Sequence, residues 1–409
     1  MRHVVVMVTT SYPRFPGDSV GTFMEPIARS VAARGHDVHV VAPWHPLVTR
    51  PPEEHGVRFH FYRYAPFQSL NVFGYAAAMR ADVHLRAAAY MAAPLALAAG
   101  WRAARHVARR HHATMMHGHW VIPGGITAAM AAPRLPLVIS LHGSDVYVAE
   151  RLAPARSAAR HAFARAGFVT SCSDDLARRA IALGAAAERI ETVPYGVDSV
   201  RFGPGVAVRA ARRKELGIAD NVPLCFAAGR LVHKKGFEYL VDAIGRTPGL
   251  VLALAGEGTL DHALRAQAQA QGVAGRVLFL GNQPQDAVGE YFAAADMICA
   301  PSVRDDSGNV DGLPNVVLEA MASGTPLITT AAGGIGSVVE HERTGLIVAE
   351  RDSAALANAL QRILSDPVMA AEIGRAARAE VQRRFGWERV AVRFEAAYAR
   401  ALAFKSLPS

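Results

Sequence analysis

Short apolar runs alternate with alanine-rich stretches of helical period along the whole chain. In the first half the runs that read as strands are 4–9, 37–42, 57–62, 115–117, 137–141, 167–171 and 190–193. In the second half they are 224–228, 250–255, 277–280, 297–300, 327–330 and 345–348. Strands that alternate with helices predict parallel sheets covered by helices. Two such series in succession predict an α/β protein of two doubly wound, Rossmann-like domains, 1–200 and 201–384. Residues 201–221 read as the connection between them. Phe385-Gly386-Trp387-Glu388 opens a last amphipathic helix, 385–409, through Val392, Phe394 and Tyr398. In doubly wound sheets ligands bind at the carboxyl ends of the strands, and two such domains can face one cleft.

The richest chemistry lies in Asp311-Gly312-Leu313-Pro314-Asn315-Val316-Val317-Leu318-Glu319-Ala320-Met321-Ala322-Ser323-Gly324-Thr325-Pro326. Gly312 and Pro314 mark a loop, and Val316 to Ala322 reads as a short buried helix closed by Gly324 and Pro326. A helix N-terminus carries free N–H groups and partial positive charge, so an anion, phosphate first, is expected near Leu313, Asn315 and Val316. Glu319 lies one turn further in, on the face of Asn315, where it can accept hydrogen bonds from a ribose. Asp311 precedes the helix and can reach the other side of the same ligand. The plainer reading is a surface loop with two solvated carboxylates. A second loop, Gly229-Arg230-Leu231-Val232-His233-Lys234-Lys235-Gly236, follows a strand. Arginine and lysine there make a diphosphate clamp, a planar fork beside a point charge, or else a solvated basic loop.

These runs resemble a known pattern. Two acids separated by seven residues around G-L-P-x-x-x-x-E-A-M-A look like the E-x7-E element of retaining GT-B glycosyltransferases of the GT4 family, with Asp311 where Glu is usual. The form G-R-L-x-x-x-K-G resembles the family's clamp, which makes Lys235 the family lysine and leaves Lys234 solvated. Leu141-His142-Gly143-Ser144-Asp145 resembles the strand end that carries the family's cleft histidine, and Pro194-Tyr195-Gly196-Val197-Asp198 its P-N-G-V-D turn, with Tyr195 in place of Asn. Gly256-Glu257-Gly258 resembles its G-x-G turn. Residues 11–23 resemble its first loop without the usual Gly-Gly pair, and only Gly21 carries over. Asn282, after the strand 277–280, is expected near the nucleotide base, and Gly333-Gly334 beside the sugar or a phosphate.

Composition narrows the rest. Three widely spaced cysteines, Cys172, Cys225 and Cys299, argue against a disulfide framework and for a reducing compartment. The start of the chain reads as a core strand rather than an export signal, and 91–101 is too short an apolar run to span a bilayer. A cytoplasmic protein is expected, with peripheral contact to the cytoplasmic membrane face as a further expectation. No C-x-x-C or H-E-x-x-H occurs, so no metal and no cofactor is expected. His117-Gly118-His119, with His111 and His112 nearby, would be the one histidine-rich candidate, and no carboxylate or cysteine completes it. Aromatics between 59 and 75 read as core, or as a platform for an acceptor sugar. The chain carries a formal charge of +9, and residues 1–200 hold 21 arginines and no lysine against 13 acids. That excess points to a phosphate-bearing ligand or anionic lipid; no nucleic-acid motif is present. Arg102, Arg105 and Arg109 fall on one helix face, bordered by His106 and Arg110 and preceded by Leu95, Leu97 and Trp101. Such a face is either solvated or suited to an anionic bilayer.

The resemblance implies a retaining glycosyltransferase. A nucleotide-diphosphate sugar binds mainly to the second domain, and a glycan, lipid-linked or small-molecule acceptor binds to the first. It assigns His142, Asp311, Arg230 and Lys235 to the reaction, and Gly21, Asn282, Leu313, Asn315, Val316 and Glu319 to the donor. The alternatives are a nucleotide-sugar epimerase of the same fold, an NAD-dependent oxidoreductase, which the missing G-x-G-x-x-G disfavours, and a non-catalytic nucleotide-sugar binder.

Overall fold

Met1–Tyr195 with Trp387–Ser409 forms one unit of the chain, and Gly196–Gly386 forms the other. The structure is a computed structural model and describes all residues except 1, 19, 66, 68–69, 76–78, 81–83, 86, 204 and 406–409.

In the first unit the strands are β1 (Val4–Val8), β2 (Asp37–Pro43), β3 (Glu53–Glu54), β4 (Val57–Tyr62), β5 (Met79–Arg80), β6 (His84–Leu85), β7 (Met115–His119), β8 (Leu137–Leu141), β9 (Phe168–Ser171) and β10 (Ile190–Thr192). The main sheet runs β10-β9-β8-β7-β1-β2-β4-β3, and β5 pairs with β6 alone. Every pairing in the main sheet is parallel except β3 with β4. Strand order reverses between β1 and β7, so the loops leaving these strands part and open a crevice. The residues that follow β1, β7 and β8 therefore border the place where a ligand can sit.

β7 extends two residues past the expected 115–117. Its end, His117-Gly118-His119, is buried despite its polarity; both nitrogens of His117 and Nδ1 of His119 find partners, and His119 Nε2 does not. His117 Nε2 lies 2.7 Å from Ser140 Oγ on β8, and Nδ1 lies 2.9 Å from the Tyr398 hydroxyl. Tyr398 belongs to the helix Trp387–Lys405, which packs on the helix Met24–Ala33 and on β8 and β9. Of the aromatics between 59 and 75, Phe59 enters the core against Tyr12, Tyr62, Tyr64 and Phe73 form a satellite cluster with Ala92 and Ala96, and Phe67 is exposed.

The second unit has the strands β11 (Leu224–Ala228), β12 (Val251–Ala255), β13 (Val277–Gly281), β14 (Met297–Ala300), β15 (Leu327–Thr330) and β16 (Leu346–Val348). They form one parallel sheet in the order β13-β12-β11-β14-β15-β16. β11 and β14 flank its switch point. The helices Ser353–Ser365 and Pro367–Arg384 each start from an aspartate, Asp352 and Asp366, whose side chain accepts a backbone N–H of the first turn. No helix among the described residues is long and apolar enough to cross a membrane.

Gly167 sits where the helix Trp387–Lys405 meets the first sheet; a Cβ there would lie 2.7 Å from Ala401 Cα. Gly167→Val is expected to lose about 1–3 kcal/mol by overpacking this contact, read as a lower denaturation midpoint in urea. An unchanged midpoint would mean that the helix is not docked there.

Candidate active site

At the switch point of the second sheet, two close backbone approaches bring three loops together. β11 leads into Arg230, which is exposed, and then into the turn His233–Lys235. Gly236 ends that turn with φ +66°, and a Cβ on it would lie 2.1 Å from the Pro301 carbonyl oxygen, in the loop after β14. Gly333, at φ +61°, touches the same loop from the β15 side; a Cβ there would lie 2.0 Å from the Asp311 carbonyl oxygen. Any side chain at either position would move the lysines or the carboxylate. Gly333 thus supports the Asp311 backbone, a role that was not evident from its place in the sequence.

Between these approaches Lys234 Nζ lies 2.9 Å from Asp311 Oδ1, and Lys235 Nζ lies 2.6 Å from Oδ2. Burial pushes the Asp311 pKa upward, but the two ammonium groups outweigh it and hold the carboxyl well below the usual range. The expectation of a solvated Lys234 is corrected. The residue is buried, because its carbonyl accepts the Val303 N–H at 2.9 Å and draws the turn under the loop.

The helix expected after Pro314 spans Asn315–Ser323 and stops at Gly324. Pro314 takes the cap position and supplies no side-chain acceptor, so the first turn keeps its donors for a ligand. Leu313 is buried and Val316 half-buried. Asn315 Oδ1 is buried without a hydrogen-bond partner. Glu319, one turn on, is buried; Gln285 Nε2 donates to its Oε1 at 2.8 Å, and burial raises its pKa. A helix N-terminus for an anion, an unpartnered amide oxygen and a buried carboxylate fit a ligand that carries phosphate oxygens and hydroxyls together. Asn282 is exposed at the carboxyl end of β13, next to Gly281, whose carbonyl accepts the Gly256 N–H at 2.7 Å.

In the first unit His142 leaves β8 into the helix Ser144–Arg151. Its Nδ1 lies 2.8 Å from the Tyr195 hydroxyl and its Nε2 3.1 Å from His119 Nδ1. Phe23 and Trp120 pack on the ring, with centroids 4.7 and 4.6 Å away. Burial pushes the His142 pKa down to about 3, so the ring is neutral at pH 7. Asp145, quoted in the motif but given no role there, accepts the Val121 N–H at 2.6 Å and the Gly143 N–H at 3.0 Å. It thereby ties the β7 and β8 loops together. Tyr195 replaces an amide side chain with a phenol yet keeps a polar contact, to His142 itself. Gly21, at φ +68°, lies against Ser11, and its carbonyl accepts the Met24 N–H that begins the helix Met24–Ala33. The histidine grouping considered in the sequence does not form: His117 and His119 stay in the core beside His142, His112 is exposed, and His111 joins His39 and His60.

The chain matches two family models, "Glycosyltransferase Family 4" over residues 20–201 and "Glycosyl transferases group 1" over residues 208–380. Among curated relatives it is 35% identical, over 65% of this chain and 71% of the relative, to a GDP-mannose-dependent alpha-(1-6)-phosphatidylinositol monomannoside mannosyltransferase of Mycobacterium tuberculosis. It is 26% identical, over 95% of both chains, to the N-acetyl-alpha-D-glucosaminyl L-malate synthase of Bacillus anthracis. Among solved structures it shares its fold with the Anabaena protein HepE in complex with UDP, at TM-score 0.76 and 22% identity over 97% of this chain and 99% of that one. It does so too with sucrose-phosphate synthase from Thermosynechococcus elongatus, at TM-score 0.79 and 21% identity over 98% and 99%.

Burial holds His117 and His142 at about 3 and His119 well below its ordinary value. Unfolded imidazoles titrate near 6.5, so below that pH the unfolded chain takes up protons that the folded unit refuses. Stability from these depressed groups is complete above about pH 6.5 and is lost toward pH 3, at roughly 2 kcal/mol each for His117 and His142 by pH 5. Asp145, raised to about 6 by burial, opposes the trend over part of this window but is outnumbered. The melting temperature is expected to fall by several degrees from pH 7 to pH 5, and less steeply in His117→Gln. A flat profile in the native chain would contradict the neutral, buried cluster.

Proposed function

Because this chain belongs to glycosyltransferase family 4, the group 1 glycosyl transferases, we propose that it transfers a hexose with retention of configuration, and without a metal, from a nucleotide-diphosphate donor to a lipid-linked acceptor. The observation that carries the donor reading is the Asp311 carboxylate between two lysines, next to an uncapped helix N-terminus with a bare Asn315 oxygen.

As the glycosidic bond breaks, negative charge grows on the leaving diphosphate. In this reading Arg230, Lys235 and the N–H groups at Leu313, Asn315 and Val316 receive that charge, at fixed positions and in place of a metal ion. Glu319 accepts the ribose hydroxyls while Gln285 holds one of its oxygens. Asp311 orients a hydroxyl of the hexose, and His142, whose Nδ1 and Nε2 are held by Tyr195 and His119, exchanges one of these partners for a hydroxyl of the sugar. Asn282 stands at the end of β13 for the base. The acceptor attacks on the face that the diphosphate leaves, and a phosphate oxygen takes its proton, so the anomeric configuration is kept.

The lipid-linked acceptor is supported by the mannosyl-lipid chemistry in the name of the Mycobacterium relative and by one helix of this chain. The helix Ala87–Arg110 exposes Met91, Leu95 and Leu97 in its first half and Arg102, His106, Arg109 and Arg110 in its second. Trp101 sits between the halves and donates to the Met130 carbonyl at 3.2 Å, and Met130 itself is exposed. Apolar side chains followed by a basic row suit the interface of an anionic bilayer.

The donor reading is tested with GDP-mannose and UDP-glucose: one of them should raise the melting temperature by mass action. Product formed in excess EDTA, with the donor's anomeric configuration by NMR, is the expected result, and an inverted product would overturn it. Arg230→Ala and Lys235→Ala should each cut turnover by about a hundredfold or more. Asp311→Asn should lose most activity, and Asp311→Glu should keep part of it. Full activity in folded Arg230→Ala or Lys235→Ala protein would rule out the clamp.

The surface reading is tested by sedimentation with vesicles. Pelleting with anionic vesicles at low salt, and its loss at high salt or with neutral vesicles, is expected. Equal, negligible pelleting with both lipids would leave a soluble acceptor as the reading.

A further inference from the structure

Three histidines from distant parts of the chain meet toward the amino-terminal edge of the first sheet. His39 is on β2, His60 on the neighbouring β4, and His111 directly follows the helix Ala87–Arg110. One ring nitrogen from each lies within 4.8 Å of the other two. His39 Nδ1 and His60 Nε2 are 3.0 Å apart, and the rings of His39 and His111 are 4.1 Å apart, centroid to centroid. His39 is fully buried, and the other two are half-buried.

We propose that His39, His60 and His111 bind one divalent transition-metal ion of the zinc type. Imidazole nitrogens without oxygen ligands select Zn2+ and its neighbours over Mg2+ or Ca2+. Two ligands on a tetrahedral ion at ordinary Zn–N lengths stand about 3.3 Å apart, close to the His39–His60 separation. His111 has the farthest to travel. Its backbone N–H still bonds the Val107 carbonyl at 3.1 Å, so it is held at the helix end, while its half-exposed ring is free to turn inward. Solvent supplies the fourth ligand.

Asp37 sets the tautomer. Its Oδ1 lies 3.3 Å from His39 Nε2, which has no aligned hydrogen-bond partner. A carboxylate at that distance favours the proton on Nε2 and leaves the Nδ1 lone pair aimed at His60. Carboxylate, imidazole and metal in line is the usual outer-shell arrangement of a histidine ligand. Arg58 and Arg110 are the opposing charges; Arg58 is paired with Asp37 at 2.8 Å and with Glu53 at 3.0 Å, and Arg110 is exposed beside His111. The bound ion would link two strands to the end of the helix Ala87–Arg110. The inference does not rest on the donor reading, and its test uses no nucleotide sugar.

The test is equilibrium dialysis of tag-free, full-length protein against zinc chloride, with cobalt chloride as the spectroscopic probe. One ion per chain and the intense visible bands of tetrahedral Co2+ are expected. Zinc should also raise the melting temperature by mass action. His60→Gln and His111→Asn, both at half-buried positions, should each weaken binding by about a hundredfold, and Asp37→Asn by about tenfold, on the scale of lost ligands and outer-shell partners. His106→Gln and His112→Gln should leave binding unchanged. No tetrahedral Co2+ spectrum, or one that survives in both His60→Gln and His111→Asn, would overturn the proposal. The three histidines would then be a hydrogen-bonded and stacked cluster only.

Discussion

The ion pair network of Asp311 with Lys234 and Lys235 is the constraint on which the second unit's site depends. A buried carboxylate is costly unless it is paired, and removing one partner of such a group strands the other in a poor solvent. Three loops from different strands must therefore keep a fixed spacing. Gly236 and Gly333 make that spacing possible, because each admits a carbonyl oxygen where a methyl group would stand. The sheet order does the rest: β11 and β14 are neighbours whose following loops diverge, so the lysines arrive from one side and Asp311 from the other.

The first unit solves a different problem with the same economy of partners. Its His142 ring is kept neutral by burial among aromatic rings first and by the neighbouring His117 second. The cost is a polar column through the core, from His142 to His119 on one side and from His117 to Ser140 and Tyr398 on the other. Ser140 in turn meets Thr170 at 2.6 Å. Small hydroxyls on β8 and β9 thus keep a histidine-rich strand inside the sheet. The helix Trp387–Lys405, which carries Tyr398, lies far along the chain from these strands, so the column is completed only when the last segment docks.

What the sequence revealed was local. The alternation of strands and helices, the helix after Pro314, the glycine that ends it, and the loops after β8 and β11 all depend on neighbours a few residues apart. The GT-B resemblance rests on those same local motifs. What it hid was long-range. Lys234 reads as one more basic loop residue until the loop after β14 folds over it. Tyr195 reads as the loss of an amide until its hydroxyl reaches His142, 53 residues away. His111 reads beside His112 and His117, yet it joins His39 and His60, because β2 and β4 pair in a register that places Val41 opposite His60 and Val40 opposite Phe59. No spacing rule along one strand predicts which histidines meet across a sheet and a helix.

The shorter acid at position 311 has a consequence for how a donor would enter. With both carboxylate oxygens on lysines, the two cations are already partly neutralised, and an arriving diphosphate must compete for them. On the proposed reading the exchange is favourable, because the diphosphate carries more charge than one carboxylate and also meets Arg230 and the helix N-terminus. In that reading Lys235 turns to phosphate, Asp311 Oδ2 loses its cation, and a sugar hydroxyl is the group at hand to satisfy it. Phosphate and sugar recognition are then coupled through a single carboxylate. A nucleotide lacking its sugar would leave that carboxylate unsatisfied and should bind less tightly than the intact donor, whereas in Asp311→Asn, which carries no charge to strand, the two affinities should converge. Calorimetric titration of both proteins with nucleoside diphosphate and with its hexose conjugate measures this difference, and equal affinities in the native chain would show that the two recognitions are independent.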